Sequence, residues 1–270
     1  CEGQADRPGC RQVVSNPRFS DVPMSTVKAP KVILPGATIG MVGGGQLGRM
    51  FSMAAASMGY EVVVFCEGSD EPAAQVAHRC VIGQLDDASA VDTFARQCDV
   101  ITLEFENIPA ETIARCGQYA PTYPSASVLA TAQDRLREKT TFRDAGLPVT
   151  PMAAVHDLDT LRAASESLGW PMIVKTPRSG YDAKGQVRVE TMADAERVPW
   201  SDCDAWIAEQ CIEFDLEVSV VVARTVEGRQ VAFPVFENSH RHHILDVTVT
   251  PASVPQSVAD EAVRIAFAAS

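Results

Sequence analysis

A glycine-rich turn around Gly45 has the residue types and spacing of a phosphate-binding site. Gly43, Gly45 and Gly48 follow an apolar run at 38–43 and open a helical pattern. Glycines let the backbone turn tightly there, and the free N–H groups at the helix start can bind an anion. Glu67 ends the next apolar run, where an acid would contact ribose hydroxyls. The pattern indicates a dinucleotide, another phosphate ligand, or a strand-helix turn without a ligand.

A second group of residues suited to polyphosphate lies in the other half of the chain. Lys175 ends an apolar run, and a glycine-bearing loop follows it at 180–186. A cation beside such a loop can neutralise phosphate charge, while loop N–H groups and Lys184 close over the oxygens. Glu209 and Glu217 follow near the ends of later apolar runs, and carboxylates there suit ribose hydroxyls or magnesium. The alternative is an ordinary polar hairpin.

The hydrophobic pattern predicts a parallel sheet that positions the glycine turn. Buried strands at 38–43, 61–66 and 99–105 alternate with a helix after Gly45 and another near 88–97. This alternation implies right-handed crossovers and a Rossmann-like α/β fold. Helical spacing predicts the buried face of the first helix as Leu47, Met50, Phe51, Ala54, Ala55 and Met58.

The second half of the chain predicts a separate α+β domain. Asp134 and Asp157 are placed to cap helices at 134–145 and 157–168, which would end at glycines. Strands are predicted within 170–189, 204–212, 216–224 and 230–238, without strict β-α alternation. We expect a leader at 1–33, a first domain at 34–131 and a second domain at 132–270.

Composition narrows the class of protein. The chain has 270 residues, 46% hydrophobic and 21% charged, which is typical of a globular protein. Its net charge of -12 argues against a nucleic-acid-coating protein, and no apolar run is long enough to span a membrane. Eight scattered cysteines without a C-x-x-C motif indicate reduced thiols in a cytosolic protein; a thiol nucleophile is the alternative.

Both ends of the chain have the features of a fragment. Residues 1–23 are polar and lack the apolar core of a signal peptide, so Met24 is a candidate natural start. The last residues form an apparent helix without a stop signal, so we expect a chain truncated at its carboxyl end.

Several segments together resemble the ATP-grasp superfamily. They are "DRLREK", "MIVKTPRSGYDAKGQ", "AEQCIEFDLEVSVVVAR" and "FPVFENSHRHHIL", in this order. Within the superfamily the chain is most similar to the N5-carboxyaminoimidazole ribonucleotide synthase family. Two further segments, "LPGATIGMVGGGQLGRMF" and "TLEFENIP", resemble the amino-terminal domain of that family. The resemblance implies a Rossmann-like pre-ATP-grasp domain followed by an incomplete ATP-grasp domain.

The resemblance also implies a reaction of purine biosynthesis. ATP and bicarbonate would form carboxyphosphate, and the exocyclic amine of 5-aminoimidazole ribonucleotide would take the carboxyl group. Catalysis would consist mainly of positioning and charge neutralisation. Magnesium would accompany ATP, with its ligands expected beyond the end of this chain. The family resemblance further suggests a cytoplasmic homodimer that binds neither nucleic acid nor membrane.

Site roles are carried over from the family by position. Arg135 and Lys175 would contact ATP phosphates, while Glu217 would bind the ribose and His240 another part of the nucleotide. Tyr181 and Asp182 would face the aminoimidazole, with Asp182 holding or deprotonating the amine. The phosphate lid would comprise Gly180, Tyr181, Asp182, Ala183, Lys184, Gly185 and Gln186. The adenine strand would comprise Glu209, Gln210, Cys211 and Ile212, and the ribonucleotide pocket Gly45, Gln46, Leu47 and Glu104.

Two departures from the family pattern and several alternatives remain. Ala183 and His243 stand where we expect glycine, and alanine resists a positive φ angle. Glu104 has an alternative role as a cap of the helix that follows it. The "HRHH" segment at 240–243 does not favour a metal site, since closely spaced histidines do not all face one ion. Alternative functions are formate-dependent glycinamide ribonucleotide transformylase, a nicotinamide oxidoreductase and a non-catalytic nucleotide-binding remnant.

Overall fold

The first half of the chain folds around a parallel sheet, as predicted. The computed structural model describes residues 32–178, 180 and 185–270. The first elements are β1 (Thr38–Val42), α1 (Gln46–Ser57), β2 (Glu61–Cys66), β3 (Arg79–Ile82), α2 (Ala88–Ala95) and β4 (Val100–Leu103). The sheet order is β3-β2-β1-β4, and every neighbouring pair is parallel. Helix α1 connects β1 to β2, and α2 connects β3 to β4.

Strand β3 is missing from the predicted pattern. Three of its four side chains are exposed, so it has no buried apolar run for a sequence pattern to detect. The segment at 67–78 joins β2 to β3 without a helix. The expected strict alternation of strand and helix is therefore wrong at this connection, although the parallel sheet is confirmed.

Apolar side chains cover both faces of this sheet. Val63 and Phe65 of β2 join a cluster with Phe94 of α2, and the two aromatic rings stack with centroids 5.4 Å apart. Val64 points to the other face, where it packs with Ala55 of α1. A parallel sheet buried on both sides needs such continuous apolar strands, which is why β1 and β2 were predictable.

Helix α1 buries a different face from the one predicted. Its buried residues are Gly48, Ser52 and Ala55, whereas Leu47 and Met50 are 61% and 58% exposed. The Ser52 hydroxyl donates a hydrogen bond to the Gly48 carbonyl at 2.7 Å. Small residues let this helix lie close to the sheet, so counting large apolar side chains selects the wrong face. Ala54 and Met58 are also exposed; of the predicted face, Ala55 is buried and Phe51 is half-buried.

The second half is built on an antiparallel sheet. Three helices lead into it: α3 (Ala110–Cys116), α4 (Ala126–Ala132) and α5 (Arg135–Asp144). The sheet comprises β5 (Met152–Val155), β6 (Met172–Lys175), β7 (Gln186–Val189) and β8 (Trp206–Gln210), with α6 (Leu158–Leu168) packed against it. Its order is β5-β8-β6-β7. Asp134 and Asp157 cap α5 and α6 as predicted, and Gly146 and Gly169 follow those helices with positive φ angles.

Short strands and a final helix complete the described chain. They are β9 (Glu217–Ser219), β10 (Val222–Arg224), β11 (Gln230–Ala232), β12 (Phe236–Arg241), β13 (Ile244–Val249) and α7 (Gln256–Ala269). Strands β13, β12 and β9 form one antiparallel sheet, and β10 pairs with β11. No helix within the described ranges is long and apolar enough to cross a membrane.

The "HRHH" segment forms the end of a hairpin. Arg241 of β12 pairs with Ile244 of β13, which leaves His242 and His243 as a two-residue turn. Their φ angles are 52° and 64°. Turns of this kind require positive φ at both positions, where glycine and asparagine are preferred. The expectation of glycine at His243 thus has a backbone reason, and histidine there stores a strain of about 1 kcal/mol.

Candidate functional site

A buried carboxylate shared by two lysines lies at the centre of the second half. Glu209 of β8 has only 5% of its side chain exposed. Its Oε2 lies 2.6 Å from the Nζ of Lys175 on β6, and its Oε1 lies 2.7 Å from the Nζ of Lys139 on α5. Strand pairing sets this geometry, because Glu209 and Lys175 stand on neighbouring strands of the same sheet. The cluster therefore has two cations and one carboxylate.

The electrostatics of this cluster keep Glu209 ionised. Burial opposes the charged carboxylate, but Lys139 and Lys175 outweigh it and lower the pKa of Glu209 below its usual value. Among the described residues, Glu209 Oε1 has no partner at regular hydrogen-bond geometry. The contact with Lys139 is thus an ion pair of short distance rather than an aligned hydrogen bond, whereas Lys175 does donate one to Oε2.

Arg135 joins this cluster to the segment that precedes the loop. It begins α5, and its Nη1 donates a hydrogen bond to the Thr176 carbonyl at 2.9 Å. Its Nη2 donates to the Gly180 carbonyl, and its backbone N–H donates to Pro177. Arg135 therefore binds the backbone that follows Lys175, from Thr176 to Gly180, and its expected contact with the ATP phosphates stays a prediction.

The loop itself is only partly described. Tyr181, Asp182, Ala183 and Lys184 lie outside the described residues, so their expected roles stay predictions. At its base, the Thr176 N–H donates to the Gly185 carbonyl at 2.8 Å, and Lys175 pairs with Gln186. Gly185 has a φ angle of 70°, and a Cβ there would lie 2.7 Å from Thr176 Oγ1. The two ends of the loop are therefore held together directly at Lys175.

A cleft of about 570 Å³ lies between the loop base and the β9–β12 sheet. Glu217 of β9 and His240 of the neighbouring strand β12 both line it, with His240 Nδ1 3.7 Å from Glu217 Oε1. Asn238 donates a hydrogen bond to the same Glu217 oxygen at 3.2 Å. Gln186 also lines this cleft. The structure thus brings together the carboxylate and the histidine that were expected at the nucleotide, next to the end of the loop.

The expected adenine strand comprises the end of β8, an inner strand of the sheet, and the two residues that follow it. The Gln210 N–H donates to Pro151 and the Cys211 N–H donates to Pro171, at 3.0 and 3.1 Å. Arg188 approaches the Cys211 sulfur at 3.1 Å, and Ile212 is 47% exposed. Protein carbonyls therefore already hold two of the amides in this segment, and the expected role of its backbone in binding adenine stays a prediction.

The glycine turn of the first half holds a carboxylate of the protein itself. Glu104 follows β4, and its Oε2 accepts a hydrogen bond from the Gly45 N–H at 2.6 Å. Its Oε1 accepts one from the Leu47 N–H at 3.0 Å. These are amides that a pyrophosphate would use at a helix N-terminus. Glu104 therefore caps α1, not the helix that follows it, and the turn is closed to a dinucleotide in this conformation.

The predicted ribose-binding position is occupied in a similar way. Glu67 is exposed after β2, but its backbone N–H donates to Glu71 Oε1 at 2.8 Å, and the Gly68 N–H donates to the same oxygen at 2.7 Å. A second internal carboxylate thus takes the amides of the loop. Together with Glu104, it indicates that the fingerprint serves as a scaffold here rather than as a cofactor site.

We expect Glu104→Gln to destabilise the protein by about 1–2 kcal/mol. The amide side chain can accept only one of the two hydrogen bonds well, and it loses the charge that favours a helix N-terminus. The free energy of unfolding in urea measures the effect. Glu106→Gln is the matched control, because Glu106 is exposed in the same loop. Equal stability of the two variants would contradict a stabilising role of Glu104 in the turn.

Burial lowers the reactivity of two of the described thiols. The six described cysteines are free thiols, and burial raises the pKa values of Cys98 and Cys116 to about 12. Such thiols remain protonated at neutral pH and are poor nucleophiles. Within the described ranges, no group of three histidine, cysteine or carboxylate side chains could hold a metal ion.

Lys139 was not among the residues expected from the sequence. It lies four positions after Arg135 on α5, and residues at this spacing share one face of a helix. The spacing could have indicated that Lys139 lies on the same side of α5 as Arg135. It could not indicate the contact with Glu209, because that contact forms only where β8 packs against this face of the helix. Only the fold supplies this contact.

Two family models match the chain, one after the other. The ribonucleotide synthetase preATP-grasp domain matches residues 36–133, and the ATP-grasp domain matches residues 140–270. The N5-carboxyaminoimidazole ribonucleotide synthase of Brucella melitensis is 39% identical over 236 residues, covering 84% of this chain and 64% of that protein.

Solved structures agree with these matches. The N5-carboxyaminoimidazole synthetase of Staphylococcus aureus complexed with ADP is 38% identical with a TM-score of 0.81, over 86% of this chain and 63% of that one. The Aspergillus clavatus synthase, in complex with ADP and 5-aminoimidazole ribonucleotide, is 26% identical with a TM-score of 0.79, over 86% of this chain and 62% of that one. The chain thus spans less than two thirds of the length of these relatives. It belongs to the N5-carboxyaminoimidazole ribonucleotide synthase family of the ATP-grasp superfamily.

Proposed function

We propose that the protein carboxylates 5-aminoimidazole ribonucleotide to N5-carboxyaminoimidazole ribonucleotide, using ATP and bicarbonate, in purine biosynthesis. The observation that supports this most directly is that Lys175, paired with Glu209, and Arg135, bound to the Thr176 carbonyl, lie at the base of the 180–186 loop. A relative of similar fold is described in complex with ADP and 5-aminoimidazole ribonucleotide. As a ligase of this kind, the protein would convert ATP to ADP and phosphate while it forms a carbon–nitrogen bond.

Charge neutralisation around the ATP phosphates is the proposed task of the second half. Lys175 supplies a cation at the strand end, and Arg135, which donates a hydrogen bond to the Gly180 carbonyl at the start of the loop, would contact the phosphates as well. Transfer of the terminal phosphoryl group to bicarbonate breaks its bond to ADP and forms carboxyphosphate. Such a reaction depends mainly on positioning and on stabilising negative charge. Glu217 and His240 would bind the nucleotide in the cleft described above, beside the backbone at 209–212.

The ribonucleotide would lie against the glycine turn of the first half. Gln46 and Leu47 are exposed at the start of α1, next to Gly45 and Glu104. Because Glu104 already holds the turn in shape, its proposed contact with the ribonucleotide would be made from this fixed position. Tyr181 and Asp182 would approach from the loop, with Asp182 holding or deprotonating the amine that attacks the carboxyl carbon.

Magnesium is the metal that this reaction implies. Its chemistry would be to neutralise charge on the ATP phosphates. The described residues do not make a complete ligand set for it. We also propose a cytoplasmic location, which the free thiols support, and a homodimer, which the exposed apolar side chains of α1 support. The proposed domain boundary near 131 is consistent with the ranges of the two family models.

Phosphate release tests the proposed function. Release would be measured with ATP, magnesium and bicarbonate, with and without 5-aminoimidazole ribonucleotide. We expect the ribonucleotide to stimulate release, and no stimulation would refute the substrate assignment. Glycinamide ribonucleotide with formate serves as the control substrate pair, since stimulation by that pair alone would favour the related transformylase. A titration with nicotinamide dinucleotide should show no saturable binding, because Glu104 holds the amides of the turn.

A further inference from the structure

Glu209 has an unusual arrangement for a carboxylate at a nucleotide site, because two cations share it inside the protein. Its side chain is 5% exposed, while those of Lys139 and Lys175 are 23% and 25% exposed. A carboxylate so deeply buried must be paired, since an isolated buried charge is strongly unfavourable. Either lysine could provide that pairing, so the presence of both calls for a further reason.

The charge balance of the cluster supplies the reason. Two ammonium groups and one carboxylate leave one positive charge in excess, while the nearby charges of Glu138 and Arg135 offset one another. This excess can attract a phosphate. If Lys139 were absent, Lys175 alone would neutralise Glu209, and the pair would carry no net charge. Lys175, which already donates a hydrogen bond to Glu209 at 2.6 Å, would then be its sole counter-ion, in direct competition with the phosphate oxygens.

The two lysines are held by different parts of the fold. Lys175 ends β6, where the loop at 180–186 is joined to the strand through Gln186. Lys139 lies within α5, one helical turn beyond Arg135. Only Lys175 is thus at a strand end that opens toward the loop, whereas Lys139 approaches Glu209 from the helix. The geometry suits one lysine that binds phosphate and one that stays with the carboxylate.

We propose that Lys139 is a positioning residue that serves as the permanent counter-ion of Glu209 and so leaves Lys175 available to the phosphates of ATP. The inference rests on the proposed function, since it assumes that Lys175 binds ATP. Lys139 itself acts through Glu209 and Lys175 and needs no contact with the nucleotide.

Lys139→Met tests this role through ATP affinity. We expect the dissociation constant for ATP, measured by calorimetry with magnesium, to rise about tenfold or more in this variant. Lys139→Arg keeps the cation and should stay within about threefold of the unchanged protein. Arg143→Met is the matched control, because Arg143 lies on the same helix in an exposed ion pair with Asp144. That control should leave ATP affinity unchanged.

The double variant Lys139→Met with Glu209→Gln separates the proposed role from a merely structural one. Removing the carboxylate frees Lys175, so the double variant should recover most of the ATP affinity that Lys139→Met alone loses. Urea unfolding of each variant confirms that it is folded. If Lys139→Met alone does not fold, the double variant decides the question, because the buried carboxylate that needs Lys139 has been removed from it.

The opposing outcomes are distinct. Equal ATP affinity of Lys139→Met and Arg143→Met would overturn the inference, and so would a folded double variant without recovery. Absence of ATP binding by the unchanged protein would overturn the proposed function and this inference together. ATP binding without stimulation of phosphate release by 5-aminoimidazole ribonucleotide would overturn the proposed substrate only, and the role of Lys139 would stand.

Discussion

Lys175→Met should lower the rate of ribonucleotide-stimulated phosphate release by about 100-fold or more. Methionine keeps most of the apolar stem of the side chain but removes the cation at the strand end. Lys139, 2.7 Å from Glu209, still pairs with it in this variant, so the buried carboxylate keeps one counter-ion. The expected defect is therefore one of nucleotide binding and charge neutralisation, not of folding.

Steady-state rates at saturating and limiting ATP measure this effect. Arg197→Met is the matched control, because it also removes one cation but only from an exposed pair with Asp194. Its rate should equal that of the unchanged protein. A Lys175→Met variant with a full rate and a normal Michaelis constant for ATP would show that Lys175 is not the phosphate contact. Thermal unfolding of both variants would detect any loss of the fold.

Gly43→Ala should destabilise the protein by about 2–4 kcal/mol. Gly43 has a φ angle of 114°, a conformation that side chains rarely adopt. A Cβ at this position would also lie 2.8 Å from the Glu104 Cβ and 3.2 Å from the Phe105 ring. Because Glu104 is held by two hydrogen bonds to the turn, it cannot move aside without losing them.

Gly36→Ala separates the two causes of this effect. Gly36 has a φ angle of 92°, but a Cβ there meets no atom of the described residues within 4 Å. Its substitution should cost only the backbone strain, about 1 kcal/mol. Urea unfolding of both variants gives the difference in free energy. If Gly43→Ala costs no more than Gly36→Ala, the close approach of Glu104 to the turn does not constrain Gly43.

The sequence determined the parts of this protein whose structure depends on local pattern. Continuous apolar runs predicted β1, β2 and the parallel sheet, because strands buried on both faces need them. The caps Asp134 and Asp157 predicted the starts of α5 and α6, since a side chain capping its own helix needs no distant partner. The order of motifs also predicted the family, which the comparisons confirm.

The tertiary structure decided what depends on contacts between distant residues. The fingerprint predicted a strand, a turn and a helix, but Glu104, about sixty positions later, takes the amides that a ligand would need. Likewise the buried face of α1 follows from close packing of Gly48 and Ala55, not from the larger side chains that set the pattern. The ion pair of Lys139 with Glu209 could not be predicted from the sequence, because it forms only where β8 packs against α5. Spacing along the chain reports which residues share an element, whereas charge pairing across elements is fixed by the way those elements pack.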